Sequence, residues 1–149
     1  MLDNILRFIF SLAIGVVVYW FALHYAPKGI KIPILQLFAN RAYSKSIKRL
    51  ESFIDEKEDK DVRKNLVEAK FGAQQTRENF VKLSERLKHD TKKLFEVTTD
   101  WRDYTKNLDE WVTGFEWSGL GVDINYDEIR NWSIRMEEIE KRYESLLKK

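Results

Sequence analysis

The 149-residue chain has no cysteine, two prolines, six glycines and two histidines. Without cysteine there is no disulfide framework, no thiolate zinc or iron–sulfur site and no thiol nucleophile. The histidines are poorly placed for chemistry: His24 lies at the edge of an apolar run, and His89 stands between Lys88 and Asp90. Scarce glycine and proline argue against a loop-rich or all-β design. The motifs GxxxxGK, GxGxxG, GxSxG and HExxH are all missing, so the sequence carries no signature of phosphate cradling, dinucleotide binding, a nucleophile elbow or a zincin. Glu137, Glu140 and Glu144 recur at helical spacing. A di-iron bundle would also need histidines from facing helices, so these three read as a solvated face. The expectation is a chain that is not an enzyme, with no cofactor and no metal.

What the chain does have is charge, at 34% of residues, and one long apolar run. Residues 5–26 read ILRFIFSLAIGVVVYWFALHYA, with no Asp, Glu, Lys, Arg or His from Phe8 to Leu23. Twenty-two helical residues would cover about 33 Å, close to the ~30 Å of a bilayer core. Tyr19, Trp20 and Tyr25 lie toward one end, where aromatic rings favour headgroup level, and Pro27 and Gly29 end the run. A signal peptide fits less well: Asp3 offsets Arg7, and no small-x-small cleavage site follows. A buried core helix would need a large apolar domain around it. Residues 1–27 are therefore read as a single transmembrane anchor. Ser11 and Gly15 form one small-xxx-small pair, a signal too slight to argue helix pairing.

Residues 28–55 are basic. Lys28, Lys31, Arg41, Lys45, Lys48 and Arg49 fall between residues 27 and 50 with no acid among them, while Arg7 alone precedes the run. The positive-inside rule puts the N-terminus outside and the C-terminal bulk in the cytoplasm, or in the matrix of a mitochondrion. Leu35, Phe38, Ala42, Ile47, Leu50 and Ile54 form a helical stripe, with Pro33 near its start. A cationic amphipathic helix beside an anchor can lie in anionic headgroups, so these six cations are the candidate membrane-surface residues. Seven of the 26 cations and one of the 24 acids precede residue 51, so acids outnumber bases, 23 to 19, in the rest. With no nucleic-acid module or interleaved aromatics, no nucleic-acid partner is expected.

After the polar segment ESFIDEKEDKD a heptad pattern begins. Val62, Leu66, Ala69, Ala73, Thr76, Phe80, Leu83 and Leu87 are followed in the same phase by Asp90, Leu94, Val97, Trp101, Tyr104, Leu108, Trp111 and Phe115. A sustained 3.5-residue period marks a helix whose seam faces other helices. The expectation is one helix over 60–115, a loop over 116–125 marked by glycines, and a helix over 126–147 entered at Asn125 and Glu128. The returning stripe of Ile129, Trp132, Met136, Ile139, Tyr143 and Leu146 predicts an antiparallel hairpin over 60–149. It can cover only the distal, aromatic part of the seam. Alternation at Leu120, Val122, Ile124 and Tyr126 offers a short β-hairpin as a weaker alternative.

The stretch from Val62 to Leu87 is then left for a partner, and its eight seam residues are the candidate partner-binding set. The small side chains at Ala69, Gly72 and Ala73 would admit a backbone closely. Cover could come from residues 34–54, from another protein or from a second copy; like charges at Asp90 disfavour a parallel homodimer. The fold expected is all-α. The role expected is a structural or assembly subunit of a membrane complex, with a self-associating coiled-coil tether as the alternative.

Overall fold

A computed structural model of the chain describes residues 2–25, 27–119, 121, 123 and 125–149. Among them there is no strand, and the helices run in the order α1 (Leu2–Tyr25), α2 (Lys28–Glu56), α3 (Lys60–Arg86), α4 (Thr91–Gly119) and α5 (Tyr126–Leu147). The alternation proposed at Leu120, Val122 and Ile124 lies outside the described residues. α1 contains one stretch, Leu2–Ala22, long and apolar enough to cross a membrane, and none of it is buried by the rest of the chain.

α2 to α5 form a four-helix bundle. α2 lies parallel to α4, with Trp101 Nε1 donating to Asn40 Oδ1 at 3.0 Å and Arg49 Nη1 to Asp109 Oδ1 at 2.7 Å. α5 runs antiparallel to α4: Tyr143 Oη donates to the Val97 carbonyl at 2.7 Å and Tyr104 Oη to Glu140 Oε1 at 3.0 Å. Farther along, Gly114 of α4 faces Ile129 and Trp132, so the absence of a side chain there lets α5 close in. The expected aromatic hairpin is present. α3 returns antiparallel to α2, as the Lys70–Glu51 ion pair at 3.1 Å records.

The 60–115 rod does not exist as one helix. It breaks over Leu87–Asp90, and the chain doubles back. The cause is local: Asp90 Oδ1 accepts the backbone N–H of Lys93 at 3.1 Å, as an N-cap satisfying a first-turn donor of α4. Leu87 N–H meanwhile closes α3 on the Leu83 carbonyl. The heptad phase survives because both halves point the same stripe into one core. Asp90 is thus a cap at a turn, and the charge on the seam disappears as a problem. α4 also runs past the expected end at residue 115, and the turn comes at Gly121, whose φ of +76° suits glycine. Asp59 and Asn125 cap α3 and α5 through their side-chain oxygens. α2 begins at Lys28, which places Pro33 inside the helix and leaves the Gly29 carbonyl without its usual donor.

Trp101 sits at the centre of the core with no exposed surface. It stacks against Phe80 of α3 (centroids 5.1 Å) and Tyr104 of its own helix (5.6 Å), and tilts onto Tyr43 of α2 (5.5 Å). One side chain therefore touches three of the four helices. Such rings each add about 0.5–1.5 kcal/mol beyond their buried area.

Candidate functional site

The seam proposed for a partner is already occupied. Leu66, Ala73, Thr76, Phe80 and Leu83 are buried within the chain, and Val62, Ala69 and Leu87 are half-buried. α2, α4 and α5 cover it together. The small-residue stretch does receive a close neighbour, but that neighbour is α5: a Cβ on Gly72 would stand 3.6 Å from Glu140 Oε1. Five of the eight are core, Val62 and Leu87 pack against it and Ala69 is half-buried, so the stripe expected to await a partner is covered within the chain. Residues 34–54, one of the three covers the sequence admits, lie on α2 and pack against α3. What periodicity along one chain could not supply was the break at 87–90, which lets α3 and α4 both turn inward.

The six basic residues divide. Arg41, Lys45 and Lys48 are exposed on the flank of α2. Lys28 Nζ lies 5.3 Å over the Phe95 ring, and Lys31 Nζ donates to the His24 carbonyl at 3.2 Å. Arg49 is turned toward α4. Its side chain is 21% exposed and pairs with Asp109 and Glu116, both at 2.7 Å, while Nη2 also donates to Thr113 Oγ1 at 2.9 Å. The hydrogen bond from Arg49 holds the Glu116 carboxyl below its ordinary range and raises the guanidinium in turn. Arg49 is a clamp between α2 and α4.

The acidic triplet on α5 divides in the same way. Glu137 and Glu144 are exposed, whereas Glu140 is half-buried and accepts from Tyr104. Burial raises the Glu140 carboxyl above its ordinary range, against the Tyr104 hydrogen bond, and the charges of Glu137 and Glu144 push it the same way. Burial, followed by the charge of Glu140, raises the Tyr104 phenol well above its ordinary value. These polar groups spend their hydrogen bonds on joining helices. Among the described residues no group of His, Asp and Glu is arranged to hold a metal ion.

The unsatisfied surfaces are elsewhere. Phe71 and Val81 stand exposed on the outer face of α3, with Val67 one turn before Phe71. Phe71 is 68% exposed. Leu37 (67% exposed) and Phe38 stand on the outer face of α2, and Val81 lines a groove with Gln36 and Asn40 of that helix. Val67, Phe71 and Val81 each follow a seam position by one or two residues in the sequence, so periodicity alone does not separate them from the core stripe, and the packing places them outside it.

No protein family, no curated protein and no solved structure matches this chain.

Proposed function

We propose that the chain is a non-catalytic, membrane-anchored structural or assembly subunit of a multi-protein membrane complex. One observation carries this reading. α1 presents an apolar surface that nothing in the chain covers, while the adjoining bundle has closed its own core. A soluble monomer would leave that helix in water, at about 25 cal/mol for each Å² of apolar area. The excess of cations after the span supports an N-terminus outside and a bundle in the cytoplasm, or in the matrix if the membrane is the mitochondrial inner one. Anionic headgroups are the lipid partner this charge favours.

Neighbouring subunits would meet the bundle on the α2–α3 face around Leu37, Phe38, Phe71 and Val81, since the heptad seam is internal. The self-associating tether loses the stripe on which it rested, and a homotypic contact would have to use this outer face too. The absence of cysteine makes the test direct. A single cysteine at Phe71 or Leu37, crosslinked in the native membrane, should join one different protein. A high yield of linked homodimer would favour the tether, and a protease that reaches the C-terminus from outside intact cells or mitoplasts would overturn the topology.

A further inference from the structure

Charge in the folded bundle is arranged by end, which the linear sequence hides. Three links identify the end that adjoins the anchor. Lys31 Nζ is bonded to the His24 carbonyl in the last turn of α1. Lys28 lies over Phe95, in the second turn of α4. Arg86 Nη1 donates to the Leu147 carbonyl at 3.0 Å, joining the end of α3 to the end of α5. Three segments far apart in the sequence thus meet at one base: the start of α2, the 87–90 turn and the end of α5. They bring Lys28 and Lys31, Lys88, Lys92 and Lys93, and Lys148 and Lys149 together. The acids there are Glu85, engaged by Lys88 at 2.7 Å, Asp90, which caps α4, Asp100, paired with Arg142 at 2.7 Å, and Glu96 and Glu144, so the cations remain in excess.

The opposite end is acidic. The α2–α3 connection carries Asp55, Glu56, Glu58, Asp59 and Asp61, and Asp123, Asp127 and Glu128 lie at the α4–α5 connection. The bundle is therefore a dipole of fixed charges about 43 Å long, from the 29 residues of α2 at 1.5 Å each. A groove of about 1010 Å³ opens at the basic end. Leu83, Leu87, Phe95 and Leu146 contribute its apolar lining, and Arg86, Lys93, Arg142 and Lys149 line it with two acids, Glu96 and Asp100.

We infer that this base binds an anionic phospholipid leaflet and stands the bundle upright on it, with the acidic end directed away. The inference rests on the anchoring role proposed for α1. A groove lined by both apolar side chains and an excess of cations suits an amphiphile better than a nucleic acid, which offers no apolar portion to occupy it. Charge complementarity selects anionic lipid, and the anchor holds the base within reach. The inference also reassigns the basic run of α2. Lys45 lies 17 residues beyond Lys28, about 26 Å along the helix. That exceeds the ~8–10 Å screening length at physiological salt. Upright, Arg41, Lys45 and Lys48 stand clear of the leaflet, whereas Lys88 to Lys93 and Lys148 to Lys149 replace them.

The test uses the full chain in vesicles of phosphatidylcholine with or without phosphatidylserine. Single cysteines are introduced at His89, Lys48 or Glu58, carry a fluorophore and are read by a headgroup-attached quencher. The expected result is strong quenching at His89 with phosphatidylserine, weakened in its absence or in 1 M salt, and little at Lys48 and Glu58. Changing Lys92, Lys93, Lys148 and Lys149 to Gln should weaken docking about fivefold per cation, with helicity by circular dichroism and resistance to carbonate extraction unchanged. Quenching at His89 that ignores lipid charge overturns the inference, as does stronger quenching at Lys48, which would lay the bundle on α2. Displacement of the base from phosphatidylserine by substoichiometric RNA would overturn it in favour of nucleic acid. Release of the unsubstituted chain by carbonate would instead overturn the anchoring role, and this inference with it.

Discussion

Replacing Trp101 by Ala tests the bundle at the residue that joins most of it. The indole has no exposed surface and contacts Phe80, Tyr43 and Tyr104, with its Nε1 on Asn40. Burying about 200 Å² of indole is worth about 5 kcal/mol by area. Measured truncations of buried Phe and Trp cost about 3–5 kcal/mol. A domain of this size has about 5–15 kcal/mol in total, so the loss is about a fifth or more of its stability. At about 3–5 °C per kcal/mol the melting temperature should fall by about 10–25 °C. Trp101→Phe keeps a ring for stacking and loses part of the buried indole volume together with the bond to Asn40. That residue is half-buried and can turn to water, so this variant should cost about 1–2 kcal/mol. Trp117→Ala is the control, because Trp117 is 56% exposed on the last turns of α4 and should change stability by less than about 0.5 kcal/mol. The assay is thermal circular dichroism of the full chain in mild detergent. If Trp101→Ala melts with Trp117→Ala, the core has been placed wrongly and the helices do not pack as described.

Further outcomes follow from the polar contacts and the turn. Arg49→Met should cost about 1–2 kcal/mol at pH 7, more than an exposed pair because two carboxylates and Thr113 lose their donor. The Glu116 carboxyl is lowered in the folded state, so its share of that stabilisation is present above the ordinary carboxylate range and is lost as pH falls through the folded value. Chemical denaturation should therefore find the gap between Arg49→Met and the parent narrowing toward pH 3, and a gap that stays constant would refute the clamp. Glu140 has the opposite sign. Its raised carboxyl makes the folded state bind the proton more tightly, so stability falls as pH rises through the folded value. Glu140→Gln keeps an acceptor for Tyr104 and should raise the melting temperature at pH 7 but not at pH 3; destabilisation at pH 7 would refute the account. At the turn, Asp90→Ala should cost about 0.5–2 kcal/mol through the lost cap. Changing Lys88, His89 and Asp90 together to Ala should let α3 and α4 fuse, because the heptad phase runs through the break. A domain-swapped dimer by light scattering in detergent is the expected product, and a strictly monomeric variant would refute the role given to these residues.

Short-range patterns decided a great deal about this protein. An apolar run the length of a bilayer core marks α1 without reference to anything else. The stripes with a 3.5–3.6 residue period mark the helices, and Asn125 marks the start of α5. These signals depend on residues within a turn or two of one another, so they survive in a linear reading. The same locality explains the failures. A heptad stripe is equally consistent with a 56-residue rod awaiting a partner and with two helices folded on each other, since both bury the same side chains. Asp90 as an N-cap was the signal that could have separated them, but an aspartate within an unbroken register reads as a polar seam position. Arg49 looked like one more cation of a basic run until the parallel packing of α2 on α4 set Asp109 and Glu116 beside it. Lys28, Lys93 and Lys149 belong to one basic surface only because four antiparallel and parallel helices return their ends to the same place. The sequence by itself therefore determined an N-terminal helix long and apolar enough to cross a membrane, the helical class and the buried stripe of each bundle helix. Tertiary structure alone decided what covers each stripe and which charges share an end, because both depend on contacts between residues that lie on different helices, 36 positions apart for Tyr104 and Glu140 and 67 for Arg49 and Glu116.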